Sequence, residues 1–142
     1  MSKEGLIMKK ICRLLAILIL VSCLVACGMS NNDVNFFNDL IGETLNLYPY
    51  TLGLSHAEDG SYMRYKLNPS LPGFTALGEA AWEDALGALE YINQKLGFSP
   101  ALYEKMTNTT EAMGVQTDSN SKFEVTWSYS SESGLNIIYE RK

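Results

Sequence analysis

The strictest constraint on the fold is an alternation near the C-terminus. Phe123, Val125, Trp127 and Tyr129 hold every second position, with Glu124, Thr126, Ser128 and Ser130 between them. Strand side chains point to opposite faces with a period of two, so this segment is a β-strand with one apolar and one wet side. The turn Ser131-Glu132-Ser133-Gly134 returns the chain through Leu135, Ile137 and Tyr139, which predicts a C-terminal hairpin. An apolar sheet face of this kind must be covered. The covering element is predicted from about Thr75 to Leu96, where Leu77, Ala81, Trp82, Ala85, Ala88, Leu89, Ile92 and Leu96 fill one arc of roughly 140° on a helical wheel. Glu79, Glu83 and Glu90 lie opposite, and Gly97 with Phe98 after it forms a Schellman-type stop.

Shorter elements surround this pair. Asn32 or Asp33 caps a predicted first helix carrying Phe36, Phe37, Leu40, Ile41, Thr44, Leu45 and Tyr48, which Pro49 ends. Tyr50, Leu52 and Leu54 alternate, as do Met63, Tyr65 and Leu67, so a second hairpin is expected around an Asp59-Gly60 turn. Ser99-Pro100 opens another helix with Leu102, Tyr103, Met106 and Met113 on its apolar side, and residues 116–122 read as polar loop. The expected fold is α+β: a small two-layer sandwich of an antiparallel sheet of about three strands on two helices, preceded by the N-terminal helix. The other face shows Arg64 and Lys66 from one strand and Glu124, Thr126, Asn136, Ile138 and Glu140 from the hairpin, and it reads as solvated; opposite charges set across neighbouring strands are worth about 0.2 to 1 kcal/mol each.

The N-terminus has a different character. Lys9, Lys10 and Arg13 precede the thirteen largely apolar residues 14–26, then Cys27, Gly28 and a polar stretch. A basic head, an apolar segment and small residues before a cut point make an export signal; the start is Met1 or Met8, of which Met8, followed directly by lysines, has the more usual layout. The apolar run is shorter than the roughly 18 to 20 residues that cross a bilayer. Leu24-Val25-Ala26-Cys27 resembles the lipobox of bacterial lipoproteins. That resemblance implies a diacylglyceryl group on the Cys27 thiol and cleavage just before it. A competing box, Leu20-Val21-Ser22-Cys23, would leave an apolar core of only about seven residues and is the weaker fit. The expected organisation is a signal over 1–26, a lipidated cysteine and short tether over 27–33, and a single domain over 34–142.

Removal of 26 from the 142 residues leaves 116, enough for one core. The signal takes Lys3, Lys9, Lys10, Arg13 and Glu4 out of the 11 basic and 16 acidic residues, so the mature part carries 7 and 15, net −8. No basic stripe is present to neutralise phosphates, so nucleic acid is not an expected partner. Cys12 and Cys23 leave with the signal and Cys27 is spent on lipid, which leaves no thiol for a disulfide, a metal or a nucleophile.

Candidate chemistry is sparse. His56, the single histidine, stands near Glu58 and Asp59 without a nucleophile motif, and reads as a solvated loop residue. Asp118-Ser119-Asn120-Ser121-Lys122 starts like a calcium loop but lacks its glycine and its bidentate glutamate, so a turn explains it. Glu79, Glu83, Asp84 and Glu90 read as solvated helix surface, and Asn108-Thr109-Thr110 as a fortuitous glycosylation triplet. No catalytic residue, metal or cofactor is expected.

The segment 96–140, with Leu-Gly-Phe-Ser-Pro, Leu102-Tyr103-Glu104-Lys105-Met106, Val125-Thr126-Trp127-Ser128-Tyr129 and Gly134-Leu135, is similar to a module at the C-termini of mostly membrane-associated proteins of Gram-positive bacteria. That resemblance implies no activity. The expected function is a non-enzymatic, membrane-anchored lipoprotein at the extracytoplasmic face of the cell membrane, binding a protein or peptide partner. The alternative is a binder of a small molecule or cell-wall fragment through Tyr48, Tyr50 and Tyr62.

Overall fold

A computed structural model describes residues 34–142. The expected signal over 1–26, and Cys27 with the expected tether over 27–33, lie outside the described residues. Contacts divide the chain into Met1–Asn31 and Asn32–Lys142, and the described residues all belong to the second unit.

The elements, in order, are α1 (Phe36–Leu47), β1 (Leu54–His56), β2 (Tyr62–Leu67), α2 (Pro72–Leu77), α3 (Glu79–Lys95), α4 (Ala101–Thr107), a single 3-10 turn (Glu111–Met113), β3 (Gln116–Ser119), β4 (Phe123–Ser130) and β5 (Gly134–Arg141). The class is α+β, with an open antiparallel sheet in the order β1-β2-β5-β4-β3. The C-terminal hairpin forms as expected, with Trp127 opposite Ile137 and Val125 opposite Tyr139. Strand β5 also pairs with β2, placing Tyr65 beside Ile137 and Met63 beside Tyr139. Three strands therefore present one continuous apolar face, on which Met63, Tyr65, Leu67, Phe123, Val125, Trp127, Leu135, Ile137 and Tyr139 are all buried.

Helix α3 covers that face. Ala81, Ala85, Ala88, Leu89 and Ile92 are fully buried, and the small residues let the helix lie close to the large aromatics beneath. Polar atoms in this layer are paired. The Tyr65 hydroxyl donates to the Ala85 carbonyl (2.8 Å) and the Tyr139 hydroxyl to Asn93 Oδ1 (2.7 Å). Asn93 is itself buried on the apolar arc, where the helical pattern alone would have placed an aliphatic residue. Burial raises the Tyr139 hydroxyl well above the usual tyrosine range, so it stays protonated as a donor. The stop is the expected Schellman motif, with Phe98 N–H to Asn93 O and Gly97 N–H to Gln94 O, both 3.0 Å.

Four expectations need correction. The sheet has five strands and the described residues hold four α-helices, against an expectation of about three strands and two helices preceded by an N-terminal helix. The single helix expected from Thr75 breaks at Gly78, whose φ of 64° lies in the left-handed region that glycine adopts without strain. The extra strand β3 comes from residues whose polarity suggests a loop: Gln116 and Asp118 point to the helix side of an edge strand, where Lys105 of α4 pairs with Asp118 at 3.1 Å. The first hairpin strand is shifted to Leu54–His56, while the Asp59-Gly60 turn stands where expected, with Gly60 at φ 71°. On the outer face the register sets Arg64 opposite Ile138, Lys66 opposite Asn136 and Glu124 opposite Glu140, so none of these charges faces one of opposite sign directly.

Candidate functional site

Periodicity assigns Trp82 and Tyr129 to the core, yet 37% and 39% of their surfaces remain open to solvent. Each sits at an end of its element. Trp82 lies in the first turn of α3, edge-on to Phe74 of α2 (centroids 6.1 Å), and Tyr129 lies next to the last residue of β4. Both line a groove of about 540 Å³. Trp82 and Leu86, one turn apart, form one wall. The end of α4 and the residues after it, Met106 to Thr110, form the other, and Leu67, Tyr129 and Leu135 line the sheet side.

Hydrogen bonds hold these walls. The Trp127 indole N–H donates to Thr109 Oγ1 (2.8 Å), and that hydroxyl donates to the Lys105 carbonyl (2.7 Å), pinning the end of α4 to the sheet. The Glu111 carboxylate accepts from the Ser131 N–H (3.3 Å), and Asn68 Nδ2 donates to the Glu132 carbonyl (3.4 Å). The 3-10 turn and the β2–α2 turn are thus both fastened to the β4–β5 turn. The groove is framed by four separate segments and is lined mainly by apolar groups, with the exposed Thr107, Asn108 and Thr110 as polar handles.

A second cleft of about 480 Å³ shares Asn108 and Thr109 with the first and runs beside β3 past Met113 and Gln116. The sequence pattern puts Met113 on the apolar face of α4, but that helix ends at Thr107 and Met113 stands 56% exposed in the 3-10 turn. A third, about 210 Å³, lies among Tyr48, Tyr91, Glu90, Phe98 and Tyr103. Gly87 lets Tyr48 lie close against α3 there, because a Cβ would meet Tyr48 Cε1 at 2.5 Å. Burial, and to a lesser extent the Glu90 carboxylate, raises the Tyr103 hydroxyl.

The residues singled out in sequence are dispersed. Tyr48 lines the third cleft, Tyr50 is an exposed loop residue, and Tyr62 lies on the outer sheet face under the Arg64 guanidinium (5.8 Å), so the three tyrosines do not share a site. His56 is exposed on edge strand β1, its Nδ1 at 2.9 Å from the Ala57 carbonyl. Asp59 accepts from the Ser61 N–H and hydroxyl (3.0 and 2.6 Å), contacts that hold its carboxyl below the ordinary range. Asp118 is likewise lowered, chiefly by Lys105. Asp84 ties the chain after α1 to α3, since its carboxylate accepts the Tyr50 N–H (2.8 Å) and its carbonyl the Thr51 hydroxyl (3.3 Å). Glu79, Glu83 and Glu90 are exposed as expected.

Among the described residues, no three His, Cys, Asp or Glu side chains are grouped to hold a metal ion, and no helix is long and apolar enough to cross a membrane. Sequence reasoning missed Trp82, Tyr129, Asn108 and Thr110; the one available signal was that both aromatics lie at the ends of their periodic patterns. Comparison with family models, curated proteins and solved structures finds no match to this chain.

Proposed function

We propose that the chain is a lipoprotein held at the extracytoplasmic face of the cell membrane by lipid on Cys27, and that its domain is a non-enzymatic binding module whose α3/α4 groove seats a protein or peptide partner. The observation that carries the binding role is the groove itself, with Trp82 and Tyr129 at its mouth. Large aromatics are the residues that anchor partners, because each buries some 150 to 250 Å² at little entropic cost. The anchor is supported by the Leu24-Val25-Ala26-Cys27 run and by a body free of other cysteines. Two acyl chains hold a protein on a bilayer stably where one holds it reversibly.

Replacing Trp82 by alanine is expected to weaken partner binding by about 2 kcal/mol, roughly thirtyfold, while leaving the fold intact, since the residue is already part-exposed. Affinity capture from detergent-solubilised membranes tests this. A specific partner recovered by the native protein, and lost with Trp82→Ala, supports the reading. Equal recovery with Trp82→Ala, or no specific partner recovered by the native protein, sinks it.

A further inference from the structure

Charge around the groove points to the kind of partner. Glu79 stands one turn before Trp82, and Glu83 one turn before Leu86, both exposed on α3. Glu111 follows Thr110 at the opposite wall, and Glu132 sits in the β4–β5 turn to which both neighbouring turns are fastened. Four exposed glutamates on three segments therefore neighbour in sequence the residues that line one apolar opening, without lining it themselves. Their cationic counterparts are elsewhere: Lys95 pairs with Glu43 (3.1 Å), Lys105 with Asp118, and Arg64 and Lys66 lie on the outer sheet face. Lys122, Arg141 and Lys142 gather at the far end of the β4–β5 hairpin, where Phe123 pairs with Arg141. Among the described residues, no lysine or arginine lines the groove.

We infer that the groove takes a cationic peptide segment, with one apolar side chain seated between Trp82 and Tyr129 and lysine or arginine on both sides of it. The inference rests on the partner-binding reading and adds its chemistry. An apolar anchor removes the aromatic surface from water, while flanking cations meet the carboxylate rim and steer approach. An acidic or neutral segment would gain the first contribution and forgo the second.

The test uses two synthetic peptides with the same central Leu-Trp-Leu, one flanked by lysines and one by glutamates. Each is titrated by fluorescence anisotropy against the full-length protein in neutral detergent, at about 50 mM and about 500 mM salt, where screening lengths differ several-fold. The lysine peptide is expected to bind about tenfold tighter at low salt, a preference that collapses at high salt and in the variant Glu79→Gln, Glu83→Gln, Glu111→Gln, Glu132→Gln. Trp82→Ala is expected to weaken both peptides. Equal binding of the two peptides overturns the charge inference and leaves the partner reading standing. Binding of neither, with saturable binding of a peptidoglycan fragment, overturns both.

Discussion

Replacing Trp127 by alanine is expected to lower the unfolding free energy by about 3 to 5 kcal/mol, the range for removing a large aromatic from a packed core. Trp127 is 3% exposed, at the centre of β4 between Ile137 of β5 and Gln116 of β3. It also carries the hydrogen bond that fastens Thr109 to the sheet. Trp127→Phe separates the two roles. It keeps most of the apolar volume and deletes the indole N–H, so the stability loss should fall to about 1 to 2 kcal/mol. Thr109 keeps its bond to the Lys105 carbonyl but loses its hold on β4, so amide exchange in residues 106–110 should quicken. Urea denaturation measures the first quantity and hydrogen exchange the second. A Trp127→Phe protein with unchanged exchange at 106–110 would show that the groove wall is held by packing alone.

The second large effect concerns the anchor. In the proposed reading lipidation of Cys27 precedes cleavage, so Cys27→Ala should yield a precursor that retains its N-terminal segment and carries no lipid. A thiol is needed because the thioether forms through the thiolate, which alanine and serine do not supply. A chain beginning at Gly28 should move entirely from the detergent phase to the aqueous phase in a phase-partition experiment, because its remaining 115 residues are acidic overall and have lost both acyl chains. Intact mass measurement of the native protein should give an N-terminal peptide that starts at Cys27 and bears a diacylglyceryl group. A native protein with an unmodified Cys27 thiol removes the anchor and leaves the groove as the sole functional element.

The parts of the fold legible in sequence are those in which one element's own pattern is complete. The β4–β5 hairpin declares itself because both strands are half-buried along nearly their whole length, and the α3 stop because glycine followed by an apolar residue has one cheap geometry there. Strand β3 is hidden for the opposite reason. Gln116, Thr117, Asp118 and Ser119 form an edge strand with no buried residue, so no apolar alternation marks it, and what orders it is its pairing to β4 and the Lys105 contact. The break at Gly78 is hidden because apolar periodicity continues through Leu77 and Ala81 across it.

The candidate site is the least legible part. Periodicity identifies which side of α3 and β4 faces inward, and it places Trp82 and Tyr129 correctly on that side. It carries no information on where along each axis the opposing layer ends, and that is what leaves both rings at an open groove rather than in the core. The four carboxylates are individually legible as surface residues. That their sequence neighbours line one opening depends on the β4–β5 turn meeting the 3-10 turn, a tertiary contact made through Glu111 and Ser131.

The most direct measurement is photocrosslinking in intact cells from a benzoylphenylalanine placed at Trp82, beside a control at Thr126 on the outer face of the sheet. A single polypeptide crosslinked from position 82, absent from position 126 and competed by the lysine-flanked peptide, is the predicted result. The same products from both positions, or lipid alone from position 82, would contradict a partner-binding groove.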